Sequence, residues 1–164
     1  MKGKLVLIGG VSRCGKSTLA NELSQLLPSS IHLDQDDFVI EEQLIPKIKD
    51  RIDWETPESI DWPKLHNEID RSLSTNNLVI VEGIFAFTQK DLTQKAQFRI
   101  ALQAQKENFL KWRKEETRWG NEPDWYLEHV WNSHLVYHNP HQIKFDIETE
   151  YSVRLAEQIA KTIL

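Results

Sequence analysis

Between Gly10 and Thr18 the chain reads GVSRCGKST, the residue types that grip a phosphate group at the spacing the grip requires. Gly10 is followed by Val11, Ser12, Arg13 and Cys14, and then by Gly15, Lys16, Ser17 and Thr18. Glycines at 9, 10 and 15 let the backbone bend where a side chain would collide, so successive N–H groups can point inward at an anion. Lys16 is then a point charge for the outer phosphates, and the Ser17 hydroxyl can ligate a magnesium ion. A helix beginning here aims its positive end at the same anion.

Two acidic segments complete the chemistry. A short apolar run, Ile31 to Leu33, empties into Asp34, Gln35, Asp36, Asp37 and Phe38. Acids at the carboxyl end of a parallel strand lie where ligands bind; the alternative is a helix N-terminus that favours acids through its dipole. A second run, Leu78 to Val81, ends in Glu82 and Gly83, which would bring another carboxylate to a metal or its water shell. Ser17, Asp36 and Glu82 are thus the candidate metal-side residues.

The elements that must hold these groups alternate between strand and helix patterns. Lys4 to Gly9 reads as a strand buried on both faces, because its apolar residues run together. A helix from Lys16 to Leu27 follows, with Leu19, Leu23, Leu26 and Leu27 as its apolar positions and Pro28 as its stop. Val39 to Asp53 is polar and without period, hence loop or short helix. Thr56 fits a helix cap with Pro57 at the first helical position, and Trp62, Leu65, Ile69 and Leu73 mark an amphipathic helix closing near Asn76 and Asn77.

Beyond Glu82, a polar connection from Gln89 to Lys95 leads to a strand at Phe98–Leu102 and a charged helix from Gln105 to Trp119, which carries Lys111, Arg113, Lys114 and Arg118. Such a run is a solvated face or, before the Gly120–Pro123 break, a lid. Pro123 opens a helix through about Tyr137, with Trp125, Leu127, Val130, Trp131 and Leu135 as its buried positions and Pro140 past its end. Ile143 to Thr149 holds a last strand; Val153, Ala156, Ile159, Ala160 and Ile163 mark a terminal helix. His129, His134, His138 and His141 read as polar helix surface rather than a zinc cluster, since no cysteine or His-Glu pattern supports them. Trp54 and Trp119 flank charged residues and could offer a stacking face to a planar ligand.

The chain has 164 residues, 40% hydrophobic and 27% charged, as in an ordinary globule. No apolar run approaches the ~18 residues that span a bilayer, and a strand occupies the N-terminus, so neither a membrane segment nor a signal peptide is expected and cytoplasmic residence is. The single cysteine, Cys14, reads as small filler within the loop. A net charge of −5 argues against nucleic acid as partner and for a small-molecule one.

In order along the chain, GVSRCGKSTLA, LDQDDF at Leu33–Phe38, WETPESIDW at Trp54–Trp62 and VIVEGIFAF at Val79–Phe87 resemble the uridine kinase and nicotinamide riboside kinase group. A weaker match runs through the basic helix and YLEHVW at Tyr126–Trp131. The resemblance implies a three-layer α/β fold of the P-loop NTPase type in one domain over 1–164. Its features would be a mostly parallel five-stranded sheet, helices on both faces and a helical lid at about 111–124. It also implies phosphoryl transfer from ATP with Mg2+ to the primary hydroxyl of a ribosyl compound, by a monomer or homodimer. Asp36 would deprotonate that hydroxyl, and Glu55 beside Trp54 would hold the ribose diol, where the group usually has aspartate. Glu82 would serve at the metal, Arg113 and Arg118 would be the lid cations, and Asp37 and Phe38 would border the acceptor.

Two rival readings stay open. A kinase for another small alcohol or a nucleoside monophosphate would share the loop, although the Asp36, Asp37 and Glu55 set repels a charged acceptor. A nucleotide-dependent regulatory module would share it too, but the Asn-Lys-x-Asp guanine reader of such switches does not occur.

Overall fold

The computed structural model describes residues 3–138 and 143–164. In chain order the elements are β1 (Lys4–Gly10), α1 (Lys16–Leu26), β2 (Ser30–Asp34), β3 (Lys47–Ile48), β4 (Arg51–Ile52), α2 (Trp62–Thr75) and β5 (Leu78–Gly83), then α3 (Lys90–Lys95), β6 (Phe98–Leu102), α4 (Lys106–Glu115), α5 (Asp124–Tyr137), β7 (Ile147–Thr149) and α6 (Leu155–Ile163). Among the described residues five strands form one sheet in the order β2-β5-β1-β6-β7, parallel throughout. Parallel neighbours need crossover helices on the sheet faces, so the central strands are covered on both sides.

Side-chain alternation divides the core into two layers. Val6 and Ile8 of β1, Leu78 and Ile80 of β5, and Ile100 and Leu102 of β6 point toward Leu19 and Leu23 of α1, Phe109 of α4, Val130 of α5 and Ile159 of α6. Leu5, Leu7, Val79 and Val81 point the other way, onto Leu65, Ile69 and Leu73 of α2 and Leu92 of α3. Most of these side chains are fully buried, each contributing about 1.5–3 kcal/mol of transfer free energy. This is the expected three-layer α/β fold. The carboxyl ends of β1, β2 and β5 open on one edge, where the phosphate loop, Asp34–Phe38 and Glu82 converge.

Several local expectations are corrected. Val39–Asp53 contains the antiparallel β3–β4 hairpin as well as a 3-10 turn at Glu42–Leu44; its strands are two residues long, too short to show a period. Thr56 precedes only a 3-10 turn, Pro57–Ser59. The true cap of α2 is Asp61, whose Oδ1 accepts from the Lys64 N–H at 3.0 Å. Gln89–Lys95 includes the short helix α3. The charged helix ends at Glu115 rather than Trp119, so within 111–124 residues 116–123 are not helical. The last strand is confined to Ile147–Thr149 and the terminal helix starts at Leu155, leaving Val153 exposed. In α5, Tyr126 and Ser133 are buried while Leu135 is exposed.

The histidines are not a uniform polar surface. His129 Nε2 lies 2.7 Å from Asp53 Oδ1. His138 is buried, stacked on Phe145 and edge-on to Phe87, with His134 4.8 Å away. Burial pushes His134 down to about 3 and His138 to about 4, with nearby positive charge assisting, so both are neutral at pH 7. His141 and Pro140 lie outside the described residues. Among the described residues no three His, Cys, Asp or Glu side chains converge to hold a metal ion. No described helix is long and apolar enough to cross a membrane.

Candidate active site

The phosphate loop links β1 to α1, and its shape is fixed by what lies around it. Gly15 adopts φ 101°, and a Cβ there would stand 2.8 Å from the Tyr151 ring. A Cβ on Gly9 would run into the ring of Phe87. Val11 and Cys14 are buried, so their contribution is backbone; burial also raises the Cys14 thiol above its ordinary range, which leaves it unreactive. Lys16, 8% exposed, donates from Nζ to the Val11 carbonyl at 3.2 Å. Ser12, Arg13, Gly15, Lys16, Ser17 and Thr18 line a cleft of about 1200 Å³.

Two carboxylates meet the loop from the neighbouring strands. The Ser17 hydroxyl donates to Glu82 Oε1 at 2.6 Å. Burial opposes ionisation of Glu82, but His32, with Nε2 3.7 Å from Oε1, together with Lys16 and the Ser17 hydroxyl outweigh it and hold the carboxyl below its usual range. Asp34 pairs with Glu82 across the β2–β5 register, and its Oδ1 accepts from the Asp36 N–H at 2.9 Å, fixing the turn that presents Asp36. Burial and then the Glu82 charge push Asp34 up to about 6. Asp36 lines the same cleft; burial raises it, Lys16 opposes that, and Glu82 and Asp37 add to it.

Trp54 and Glu55 line the same cleft, together with Lys47, Arg51 and Ile52 of the β3–β4 hairpin. Trp54 is 40% exposed and Glu55 is buried. Burial lifts Glu55 to about 7, with the Arg113 charge opposing and Asp53 assisting. Asp37 and Phe38 are placed elsewhere: both border a separate surface groove with Asp61 and Lys64, and Phe38 is packed in the α2-side core. The 3-10 turn at Gln35–Phe38 is the reason, since successive residues there face different directions.

Arg113 is not a free cation on a solvated helix. It is buried, bound to Glu122 through Nε–Oε2 at 2.6 Å and Nη2–Oε1 at 3.0 Å, and it donates from Nη1 to Ser12 Oγ at 2.6 Å. Its guanidinium lies 4.0 Å from the centroid of Trp119. Arg118 lies 4.8 Å from the centroid of the same ring and binds Glu116 at 2.8 Å, and Arg13 of the loop reaches Glu116 at 2.9 Å. The 116–122 segment is therefore tied to the phosphate loop at Ser12 and Arg13. Trp119 and Trp54 both line the cleft, but Trp119 carries arginines on its ring.

Asp34, Glu122, Tyr126, Lys47 and Arg51 also line this cleft, and sequence reasoning did not select them. Asp34 was visible as the acid that closes β2. Glu122 stood in a break, and the hairpin residues in a stretch without a period.

The sequence matches the AAA domain family (AAA_18) over residues 6–128, most of the chain. The chain belongs to this family. Among curated relatives it is 34% identical over 73 residues to a nicotinamide riboside kinase of Eremothecium gossypii, covering 43% of this chain and 30% of that one. It is 25% identical over 134 residues to a uridine kinase of Ureaplasma parvum, covering 65% of each. The match thus spans less than two thirds of the length of these relatives. The fold is shared with a possible uridine kinase from Bacillus stearothermophilus at a TM-score of 0.62 and 19% identity, over 92% of this chain and 90% of that one. It is also shared with a gluconokinase from Sinorhizobium meliloti at 0.61 and 17%, over 99% and 95%.

Proposed function

We propose that this AAA-family chain is an ATP-dependent small-molecule kinase of the cytoplasm. It would transfer the γ-phosphoryl group to the primary hydroxyl of a nucleoside such as nicotinamide riboside or uridine. One observation carries the reading: Lys16, Ser17, Glu82 and Asp36, the last in the turn just past β2, line a single cleft with Trp54 and Glu55. The names of the curated relatives, a nicotinamide riboside kinase and a uridine kinase, point the same way.

Phosphoryl transfer asks a protein chiefly for alignment and for positive charge around the transferred oxygens. The loop N–H groups, Lys16 and the start of α1 supply that charge, and Asp36 accepts the proton of the attacking hydroxyl. Trp54 gives the acceptor's ring a flat face, and Glu55 accepts from its diol. Arg113 positions the loop through Ser12, while Arg118 on the 111–124 lid faces the transferred group. Water excluded beneath that lid cannot compete as acceptor.

The metal-side residues in the cleft offer hard oxygens, Ser17 Oγ and the Glu82 and Asp36 carboxylates with Asp34 as a further one, and they suit Mg2+, which binds through one or two protein oxygens plus substrate phosphates. Mg2+ bound there would neutralise charge developing between the outer phosphates. Incubation with Mg2+–ATP and nicotinamide riboside, uridine or cytidine, read as ADP release and product mass, tests the proposal. ATP binding without any phosphorylated product would leave a regulatory module instead.

A further inference from the structure

The β3–β4 hairpin contributes Lys47, Arg51 and Ile52 to the wall of the cleft that Trp54 and Glu55 also line. Arg51 is half-buried, yet among the described residues neither it nor Lys47 makes an ion pair. Its guanidinium lies instead on the Tyr126 ring, 5.1 Å from the centroid, which leaves the donor edge of the fork without a carboxylate. A partly desolvated arginine with no counter-ion in the wall of a ligand cleft is costly unless something bound there repays it.

The hairpin is also held rigidly. Lys49 lies 4.1 Å over the Trp125 ring, the Asp53 N–H donates to Pro46 O at 2.8 Å, and Asp53 itself is engaged by His129 at 2.7 Å. The fork is therefore presented by the backbone and by α5 rather than by a wandering side chain. The acids expected to repel a charged acceptor do not cancel it: Asp37 borders a separate groove, burial raises both Asp36 and Glu55, the latter to about 7, and Asp53 is occupied by His129. Asp50 remains as the one local anion on the hairpin, against three cations, Lys47, Lys49 and Arg51.

We infer that the hairpin reads the acceptor, and that the acceptor alcohol carries a carboxylate at the end away from its reacting hydroxyl, bound by the Arg51 fork with Lys47 beside it. A planar carboxylate matches the guanidinium through two parallel hydrogen bonds, whereas a neutral amide of the same shape offers one acceptor and a clashing donor. The inference rests on the phosphoryl-transfer reading of the same cleft and replaces the acceptors named there, uridine and nicotinamide riboside, with alcohols that bear an acid.

The test uses acceptor pairs that differ only in the anion: 5-carboxyuridine against 5-carbamoyluridine, and shikimate against methyl shikimate. With Mg2+–ATP, the carboxylate member of at least one pair should show about tenfold or higher kcat/KM, mainly through KM. Arg51→Gln should reduce that preference to about twofold or less, and Arg51→Lys should restore only part of it, because the ammonium keeps charge but not the fork. Lys47→Gln, at an exposed strand position, should lower it less and guards against a folding defect in the Arg51 variants. Equal or better use of the neutral members, or a preference that survives Arg51→Gln, overturns the inference.

If no compound is phosphorylated, the kinase reading fails separately, and equilibrium binding of the same pairs, followed by tryptophan fluorescence, then decides. Carboxylate-selective binding lost in Arg51→Gln supports the inference; equal binding, or none, overturns it.

Discussion

The Ser17 hydroxyl and the Glu82 carboxylate meet at 2.6 Å, joining the first turn of α1 to the end of β5. Two residues far apart in the chain are thereby set side by side at the place where a cation between phosphates would sit. Glu82→Gln keeps the shape and one hydrogen bond but removes the charge. It is expected to raise the Mg2+ concentration needed for half-maximal turnover and to lower kcat by roughly 10²-fold, the scale of losing one preorganised charge contact. A magnesium titration of activity checks this; an unchanged requirement would remove Glu82 from the metal.

Asp36→Asn should leave ATP binding nearly intact while transfer falls by about 10²–10⁴-fold, the usual worth of a positioned general base. In the proposed role the active form is the carboxylate, and burial raises its pKa. The rate of the wild type should therefore fall on the acid side, at a pH above the ordinary carboxylate range, and Asp36→Asn should lose that limb. Comparable turnover in the variant would take Asp36 out of the role.

Glu55 should reveal itself in stability as well as activity. Its folded pKa, about 7, lies above the unfolded value of 4.5, so the native state holds the proton more tightly. The acid is neutral in both states below 4.5, and the penalty for ionising it in the fold grows as pH rises from there through about 7. Glu55→Gln abolishes this penalty, so the variant should gain on the wild type between pH 5 and 8, by at most about 3 kcal/mol. Thermal melts of both proteins at the two pH values give the difference.

Arg113→Ala would strand the buried Glu122 and free the Ser12 hydroxyl. Losing one partner of a buried pair costs about 3–5 kcal/mol, so a lower Tm is expected together with weaker ATP binding. Pairing Arg113→Ala with Glu122→Ala should recover much of the stability but not the ATP affinity, because the bond to Ser12 stays broken. Recovery of both would show that Arg113 acts on the fold alone.

Gly15→Ala places a Cβ at a left-handed φ and against Tyr151. Nucleotide binding should be lost in a folded protein. Removing the ring as well, with Tyr151→Ala, should relieve the collision but not the backbone strain, so that binding returns only in part.

The loop and the strand ends were legible because glycine spacing and uninterrupted apolar runs report local backbone demands directly. Lys4–Gly10, Leu78–Gly83 and Phe98–Leu102 lie where their apolar runs placed them. The β3–β4 hairpin was not legible, since two-residue strands carry no period and their order comes from docking on Tyr126, Trp125 and His129. The burial of Arg113 was hidden for a similar reason: a charge run looks solvated until its partner, Glu122, is brought back by the 116–122 turn. Asp37 and Phe38 looked like neighbours of Asp36, but a 3-10 turn sends adjacent side chains to different faces.

Phe87 fills the space where Gly9 would carry a side chain, and its ring leans in turn on Phe145 and His138. The anion cradle is thus moulded from behind, by an aromatic stack that does not line the cleft. Reshaping that stack offers a way to loosen or tighten the grip while every contacting group stays as it is.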